Sequence, residues 1–362
     1  MSKRSFRWAL AVVVGTFIAA SLVGWWGVSR VLRYPEHPHR GTGAVVPVTV
    51  QKGMKFPEVA AELERRGIVD HPTWFRIYAM HRGLANRVRA GTYELRYDLP
   101  PREILDLLVE GVKEIDVAVT IPEGTHLREV FAPIEAAGIA TAADLEAVAR
   151  DPAWLKQQGI EGETAEGYLF PDTYRFRKPS PAKLVLETLV KKHRIVYDEL
   201  RRQHQKSLDK IKKQLDFSDH DIVIMASIVE KETVDPAERA RVASVFYNRL
   251  TMSSFPSRRL ETDPTIRYGC TIPLTKSAGC QGWDPADRLR RKQLDDTDNL
   301  YNTYQHAGLP PGPISNPGRA SLAAAMDPEN SSYLYFVAKD ERSHVFSKTY
   351  EEHTRWVEKY MK

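Results

Sequence analysis

Cysteine is almost missing from this chain: its 362 residues contain two, Cys270 and Cys280. Neither His nor further Cys lies beside them at zinc-ligand spacing, which argues against a metal site, and no cofactor is expected. Also lacking are a finger, a Gly-rich phosphate loop and an RNP-type stretch. The net charge of +5 is scattered, apart from a denser basic run at Lys206 to Lys213. Such a run reads as a solvated helix face, with anionic lipid or acidic polymer as the lesser alternative. Nucleic acid is therefore not an expected partner.

Charge is absent throughout Trp8 to Val28, "WALAVVVGTFIAASLVGWWGV", a run of 21 residues. At about 1.5 Å rise per residue such a helix spans the roughly 30 Å hydrocarbon core of a bilayer. Trp8 at one end and Trp25 and Trp26 at the other suit the two interfaces. The run is longer than the apolar region of a cleaved signal peptide, so it reads as a single-pass anchor. Lys3, Arg4 and Arg7 against Arg30 and Arg33 give only a slight bias toward a cytoplasmic N-terminus.

The overall composition is that of an ordinary globular protein, 42% apolar and 27% charged. After the uncharged run, "RYPEHPHRGTGAVVP" reads as a linker, and its His37 to His39 as solvated rather than metal-binding. The segment Val48 to Ile68 then aligns without gaps on Val119 to Ile139. Each copy reads as a short β-branched strand, a Gly turn, an amphipathic helix and a Gly stop. After the first copy come a helix in "HPTWFRIYAMHRG", a strand at Gly91 to Leu95 and a helix in "PPREILDLLVEG". Strand, helix, helix, strand resembles a LysM-like module, with a plain α/β spacer as the alternative. Pro181 to Asp219 is strongly helical, with Leu184, Leu186, Leu189, Val190, Ile195, Leu200, Ile211 and Leu215 expected on its apolar side.

From Asp221 the character changes. "DIVIMASIVEKETVDPAERARVASVFYNRL" reads as two helices broken near Asp235 and Pro236, the second capped by Asp235. On the first, Glu232 continues the stripe of Met225, Ile228 and Val229, whereas Glu230 follows Val223, Ala226 and Ser227. Two positions apart on a helix is roughly 200°, so the two glutamates cannot converge on one substrate. A carboxyl held against apolar side chains has its pKa raised and suits a general acid. The competing reading makes Glu232 a helix-end residue paired with Arg239 or Arg241. The two cysteines, in the loop-like "GCTIPLTKSAGC", fit a small disulfide loop in an oxidising compartment or two free thiols in the cytosol.

"ASIVEKET", "RVASVFYNRL", "LETDPTIRYG", "YNTYQHAGLPPGPISNPGRASLAAA" and "YLYFVA" resemble, in order and spacing, the YceG-like (MltG-type) endolytic murein transglycosylases. "EGYLFPDTY" at Glu166 to Tyr174 also resembles the start of that family's catalytic domain. The resemblance implies an α+β protein: tail and transmembrane anchor over 1–33, linker over 34–46, LysM-like subdomain over 47–115 and catalytic domain over 116–362. It further implies a single-pass inner-membrane protein with a periplasmic catalytic part, which makes the Cys270–Cys280 disulfide the expected state. Peptidoglycan glycan strands are the implied partner, with peptidoglycan synthases as candidate companions.

By the same resemblance the catalytic residue is Glu232, protonating the glycosidic oxygen and then, as carboxylate, taking the proton of the muramoyl 6-hydroxyl. A hydrolysing muramidase would need a second carboxylate, and a wall-binding scaffold would need none. Asp263, Tyr268, Asn302, Tyr304 and Asn316 fall in the matching blocks and are the candidate substrate contacts. Glu261 stands where family members commonly carry Gln, which adds a carboxylate near the cleft.

Overall fold

The computed structural model describes residues 33–38, 41, 43–111 and 115–361, with 25 and 29. The candidate span Trp8 to Val28 lies, apart from Trp25, outside them. Among the described residues no helix is long and apolar enough to cross a membrane. The architecture is mixed α+β, and the chain divides into two units, 1–114 and 115–362.

In the first unit, strand β1 (Val45–Val50) pairs antiparallel with β2 (Gly91–Arg96), in a register that sets Val48 opposite Tyr93. Side chains alternate across a strand, so Val48, Val50, Tyr93 and Leu95 all point inward. Helices α1 (Phe56–Arg65), α2 (Pro72–His81) and α3 (Pro101–Glu110) close over that face with Leu63, Phe75 and Leu105. Strand, helix, helix, strand is the order expected from the sequence, since each helix carries Pro in its first turn and apolar residues on one side.

The second unit opens on the other copy of the repeat: β3 (Ile115–Thr120), then α4 (Leu127–Ala136). Both helices end on a glycine at positive φ, 69° at Gly67 and 67° at Gly138. After each, the amide of the next residue, an isoleucine, reaches back, Ile68 N to Leu63 O at 2.8 Å and Ile139 N to Ile134 O at 3.1 Å. The likeness continues past the aligned segment into the partner strands. β4 (Thr173–Lys178) pairs with β3 as β2 does with β1, the threonine hydroxyls meeting at 3.1 Å for Thr49 with Thr92 and 2.9 Å for Thr120 with Thr173. Tyr93 and Tyr174 both donate at 2.6 Å to the carbonyl four residues earlier.

Between α4 and β4 lie α5 (Ala142–Ala149) and α6 (Pro152–Gln157). The helical stretch after β4 is two helices, α7 (Ala182–Gln203) and α8 (Gln205–Leu215). The buried side of α7 is Val185, Leu186, Leu189, Val190, His193, Val196, Tyr197 and Leu200. Leu184 and Ile195, expected inside, are 53% and 55% exposed, because they fall one position off that stripe.

The centre of the unit is α9 (Asp219–Glu232), capped by Ser218. Every residue from Ile222 to Val229 is buried, so the helix is apolar all round rather than striped. It packs with α10 (Arg239–Thr251) and α13 (Arg319–Met326) through Val242, Phe246, Leu322 and Met326. Each such buried side chain contributes roughly 1.5–3 kcal/mol of transfer free energy. Asp235 accepts from Ala237 N at 2.9 Å and turns the chain as expected, but α10 begins later, after Glu238. Helices α11 (Asp263–Thr271) and α12 (Arg291–Leu294), then the hairpin β5 (Tyr335–Ala338) with β6 (His344–Ser347) and α14 (Tyr350–Tyr360), complete the unit.

Candidate active site

The last turn of α9 delivers two glutamates to two different surroundings. Glu230, its side chain 4% exposed, accepts from Arg239 Nη2 at 3.0 Å and from the main-chain amide of Gly318 at 2.9 Å. Between the two glutamates, Lys231 Nζ donates to Gly124 O at 3.1 Å. Arg241, the other arginine considered as a partner for Glu232, donates instead to Glu329, at 3.0 and 3.1 Å. The structural ion pair at the helix end therefore belongs to Glu230.

Glu232 is only half-buried, and its Oε1 accepts from the Thr262 hydroxyl. Burial pushes its carboxyl above the ordinary range and nearby Asp263 adds to the shift, while the Thr262 hydrogen bond, His344 and Arg249 pull the other way. The net direction favours the neutral acid. Thr262, the residue before α11, is fixed in turn: its amide donates to Thr303 Oγ1 at 3.1 Å and its carbonyl accepts from Thr265 Oγ1 at 2.7 Å. Next to it Asp263 accepts from the Tyr304 hydroxyl at 2.9 Å. Glu232, Asp263 and Tyr304 are thus brought together.

The other three candidates are buried, with their polar atoms spent inside the protein. Asn302, 0% exposed, directs its amide nitrogen at the carbonyls of Gln293, Leu294 and Asp296 at 2.9 to 3.1 Å. That amide braces a loop and leaves no donor for a ligand. Tyr268 and Asn316 meet at Glu166, a residue not singled out from the sequence. Glu166 is 1% exposed and accepts from Asn316 Nδ2 at 2.8 Å, Leu127 N at 3.0 Å and the Tyr268 hydroxyl at 3.2 Å. Burial pushes its pKa up to about 8, against the pull of the Leu127 and Tyr268 hydrogen bonds. Beyond Tyr268 and Tyr301 lies a cavity of about 520 Å³ whose walls include neither Glu232 nor Asp263.

Glu261 adopts a left-handed backbone, φ 54°, which a residue with a Cβ takes up at some cost. Its carboxylate lies 3.7 Å from Arg249 Nη1, so a guanidinium offsets its charge beside the site. The loop "GLPPGPISNPG" is irregular yet buried from Gly312 to Gly318, and several of its polar groups are paired with neighbouring elements. Ile314 N donates to Ser227 Oγ at 3.0 Å, Ser315 Oγ to Ser227 O at 3.1 Å and Asn316 N to Thr125 O at 2.8 Å. Cys270 and Cys280 are joined as a disulfide at the far end of α11. Among the described residues no group of three or more His, Cys, Asp or Glu is placed to hold a metal ion.

The model of the YceG-like family matches residues 48–359, which takes in both glutamates and every candidate contact. The chain belongs to the YceG-like family. A relative named endolytic murein transglycosylase from Bacillus subtilis (strain 168) is 29% identical over 341 residues, covering 90% of this chain and 88% of its own. One of the same name from Streptococcus pneumoniae serotype 2 is 25% identical over 347 residues, and the alignment covers 87% of this chain and 58% of that longer relative. A crystal structure of a YceG-like protein from Listeria monocytogenes matches at TM-score 0.54 and 30% identity, covering 87% of this chain and all of that one.

Proposed function

We propose that this YceG-like chain is an endolytic murein transglycosylase that cuts glycan strands of peptidoglycan internally and leaves 1,6-anhydromuramoyl ends. Similarity to the Bacillus relative along 88% of its length supports the activity. The observation that carries the mechanism is the contrast between the two glutamates. Glu230 is tied to Arg239 and Gly318, while Glu232 accepts from a neutral hydroxyl and has its proton affinity raised.

In this reading the neutral Glu232 carboxyl gives its proton to the glycosidic oxygen as the bond to C1 of N-acetylmuramic acid breaks. The resulting carboxylate then takes the proton of that sugar's own 6-hydroxyl as its oxygen closes on C1. No water is consumed, and one carboxyl serves both steps. Thr262 holds Glu232 in position, and Asp263 with Tyr304 offers hydroxyl and carboxylate groups to the sugars on the same side. Since the reaction begins from the acid form, the rate falls as pH rises through the raised pKa of Glu232.

The remaining parts of the reading concern location. In this reading residues 1–33 are a cytoplasmic tail and single-pass anchor; the linker expected over 34–46 is shorter, since Tyr34 is already buried in the first unit's core and β1 begins at Val45; the first unit is a LysM-like subdomain and residues 115–362 a periplasmic catalytic domain at the inner membrane. The uncharged run from Trp8 to Val28 and the strand, helix, helix, strand order of the first unit support it. Peptidoglycan synthases would be natural companions of such an enzyme.

A specific feature favours one rival, a hydrolysing muramidase: Asp263 supplies a second carboxylate close to Glu232. Mass spectrometry of glycan strands digested by the protein separates the two. Anhydro ends, lighter by one water than reducing ends, are the expected product. Reducing ends from the first turnover would replace transglycosylation by hydrolysis.

A further inference from the structure

Glu166 has no part in the proton transfers assigned to Glu232, yet it is a heavily engaged carboxylate in the same unit. Its three donors come from three separate elements: Leu127 opens α4, Tyr268 lies within α11 and Asn316 lies in the buried loop before α13. The Asn316 side is rigid. Its side-chain oxygen accepts from Leu169 N at 2.9 Å, and its amide nitrogen also donates to Thr125 O at 3.0 Å. Two residues on, Gly318 N holds Glu230 at the end of α9. On the other side, Tyr268 belongs to the helix whose leading residue, Thr262, donates to Glu232.

We propose that Glu166 is a positioning residue for Glu232, fixing α11 and its Thr262 donor relative to the helix end that carries the catalytic carboxyl. The inference rests on Glu232 being the acid and base of the transglycosylase reading. The chain of contacts is Glu232 to Thr262, along α11 to Tyr268, then Glu166, Asn316, Gly318 and Glu230, which returns to α9 two residues before it began. Releasing the link at Glu166 opens this ring without touching substrate. A displacement of about 1 Å at the reacting group is enough to cost on the order of 10²-fold in rate.

Glutamine cannot replace Glu166. Its NH2 group must face either Leu127 N–H or Asn316 Nδ2, both of which donate, and Asn316 cannot turn over without losing Leu169 N and Thr125 O. The neutral acid does fit, because its single proton can point at the Tyr268 oxygen while both other bonds are still accepted.

The test is steady-state kinetics of the full-length protein on defined glycan strands, with Glu166→Gln and the milder Tyr268→Phe, each corrected for its folded fraction. The expected result is a fall in kcat of roughly 10- to 100-fold for Glu166→Gln and a smaller fall for Tyr268→Phe, with KM nearly unchanged. The double variant should be no slower than Glu166→Gln alone, because both break the same link. If Glu166→Gln or Tyr268→Phe lowers only the melting temperature, and kcat per folded molecule stays at the wild-type value, the proposal is overturned. Should the wild-type protein itself release no anhydro ends, the fault lies with the transglycosylase reading instead.

Discussion

In the proposed mechanism, two glutamates on one helical turn divide the tasks of holding the site together and doing its chemistry. Glu230 lies in a buried ion pair with Arg239, whose side chain is 8% exposed, and caps the amide of Gly318. Removing one partner of a buried pair costs up to about 3–5 kcal/mol when the other charge is left uncompensated, and here Glu123, 3.7 Å from Arg239 Nη1, offsets part of that cost. Glu230→Ala should therefore shift the urea midpoint downward and, because it also opens the ring of contacts at Gly318, lower kcat of the folded molecules by no more than Glu166→Gln does, well short of the loss at Glu232. A variant as stable as wild type would show that Glu123 alone offsets the Arg239 charge. In the sequence, the two-residue spacing was enough to send the glutamates to different surroundings. The stripe argument for Glu232 was not, because the whole of Ile222 to Val229 is buried and no face stands out. Glu166 opens the block "EGYLFPDTY", but nothing in that block marks it as buried, since its three partners lie 39, 102 and 150 positions away.

At the scale of elements, α11 connects the site to the disulfide. Thr262 and Asp263 at its start face Glu232 and Tyr304, and Cys270 near its end is bonded to Cys280. The cross-link closes a loop of sequence separation 10, for which chain entropy gives a stabilisation of roughly 3 kcal/mol. Reduction should lower the melting temperature and open residues 271–279 to protease while leaving the rest of the unit protected. Loss of all protection at once would mean that the loop is part of the core. Elements with a strong period or punctuation, such as the repeated strand and helix closing on Gly67 and Gly138, were legible in advance. The offset in α7 was not: Leu184 and Val185 are both apolar neighbours, and only tertiary packing decides which of them turns inward.

For the whole molecule, Glu166 also makes stability depend on pH. Its carboxyl is raised in the folded state from the ordinary range near 4.5 to about 8, so between those values the folded protein binds more protons than the unfolded chain. The stabilisation it contributes is complete below pH about 4.5 and is lost as pH rises through about 8. Glu232 is shifted in the same direction. Melting temperature should decline from pH 6.5 to 8, and Glu166→Gln should flatten that slope even though it lowers the overall value. A wild-type slope retained in the variant would place its origin in other groups.

The central claim is that one half-buried carboxyl, Glu232, carries both proton transfers, and the most direct measurement is the rate at which Glu232→Gln releases anhydro-ended strands. Glutamine keeps the size and can still accept from Thr262, but it can neither give nor take the proton. The account predicts a melting temperature within a degree or so of wild type and a loss of at least the ~10²–10⁴-fold typical of a missing acid–base group. Release of anhydro ends at near the wild-type rate by a fully folded Glu232→Gln protein would contradict it.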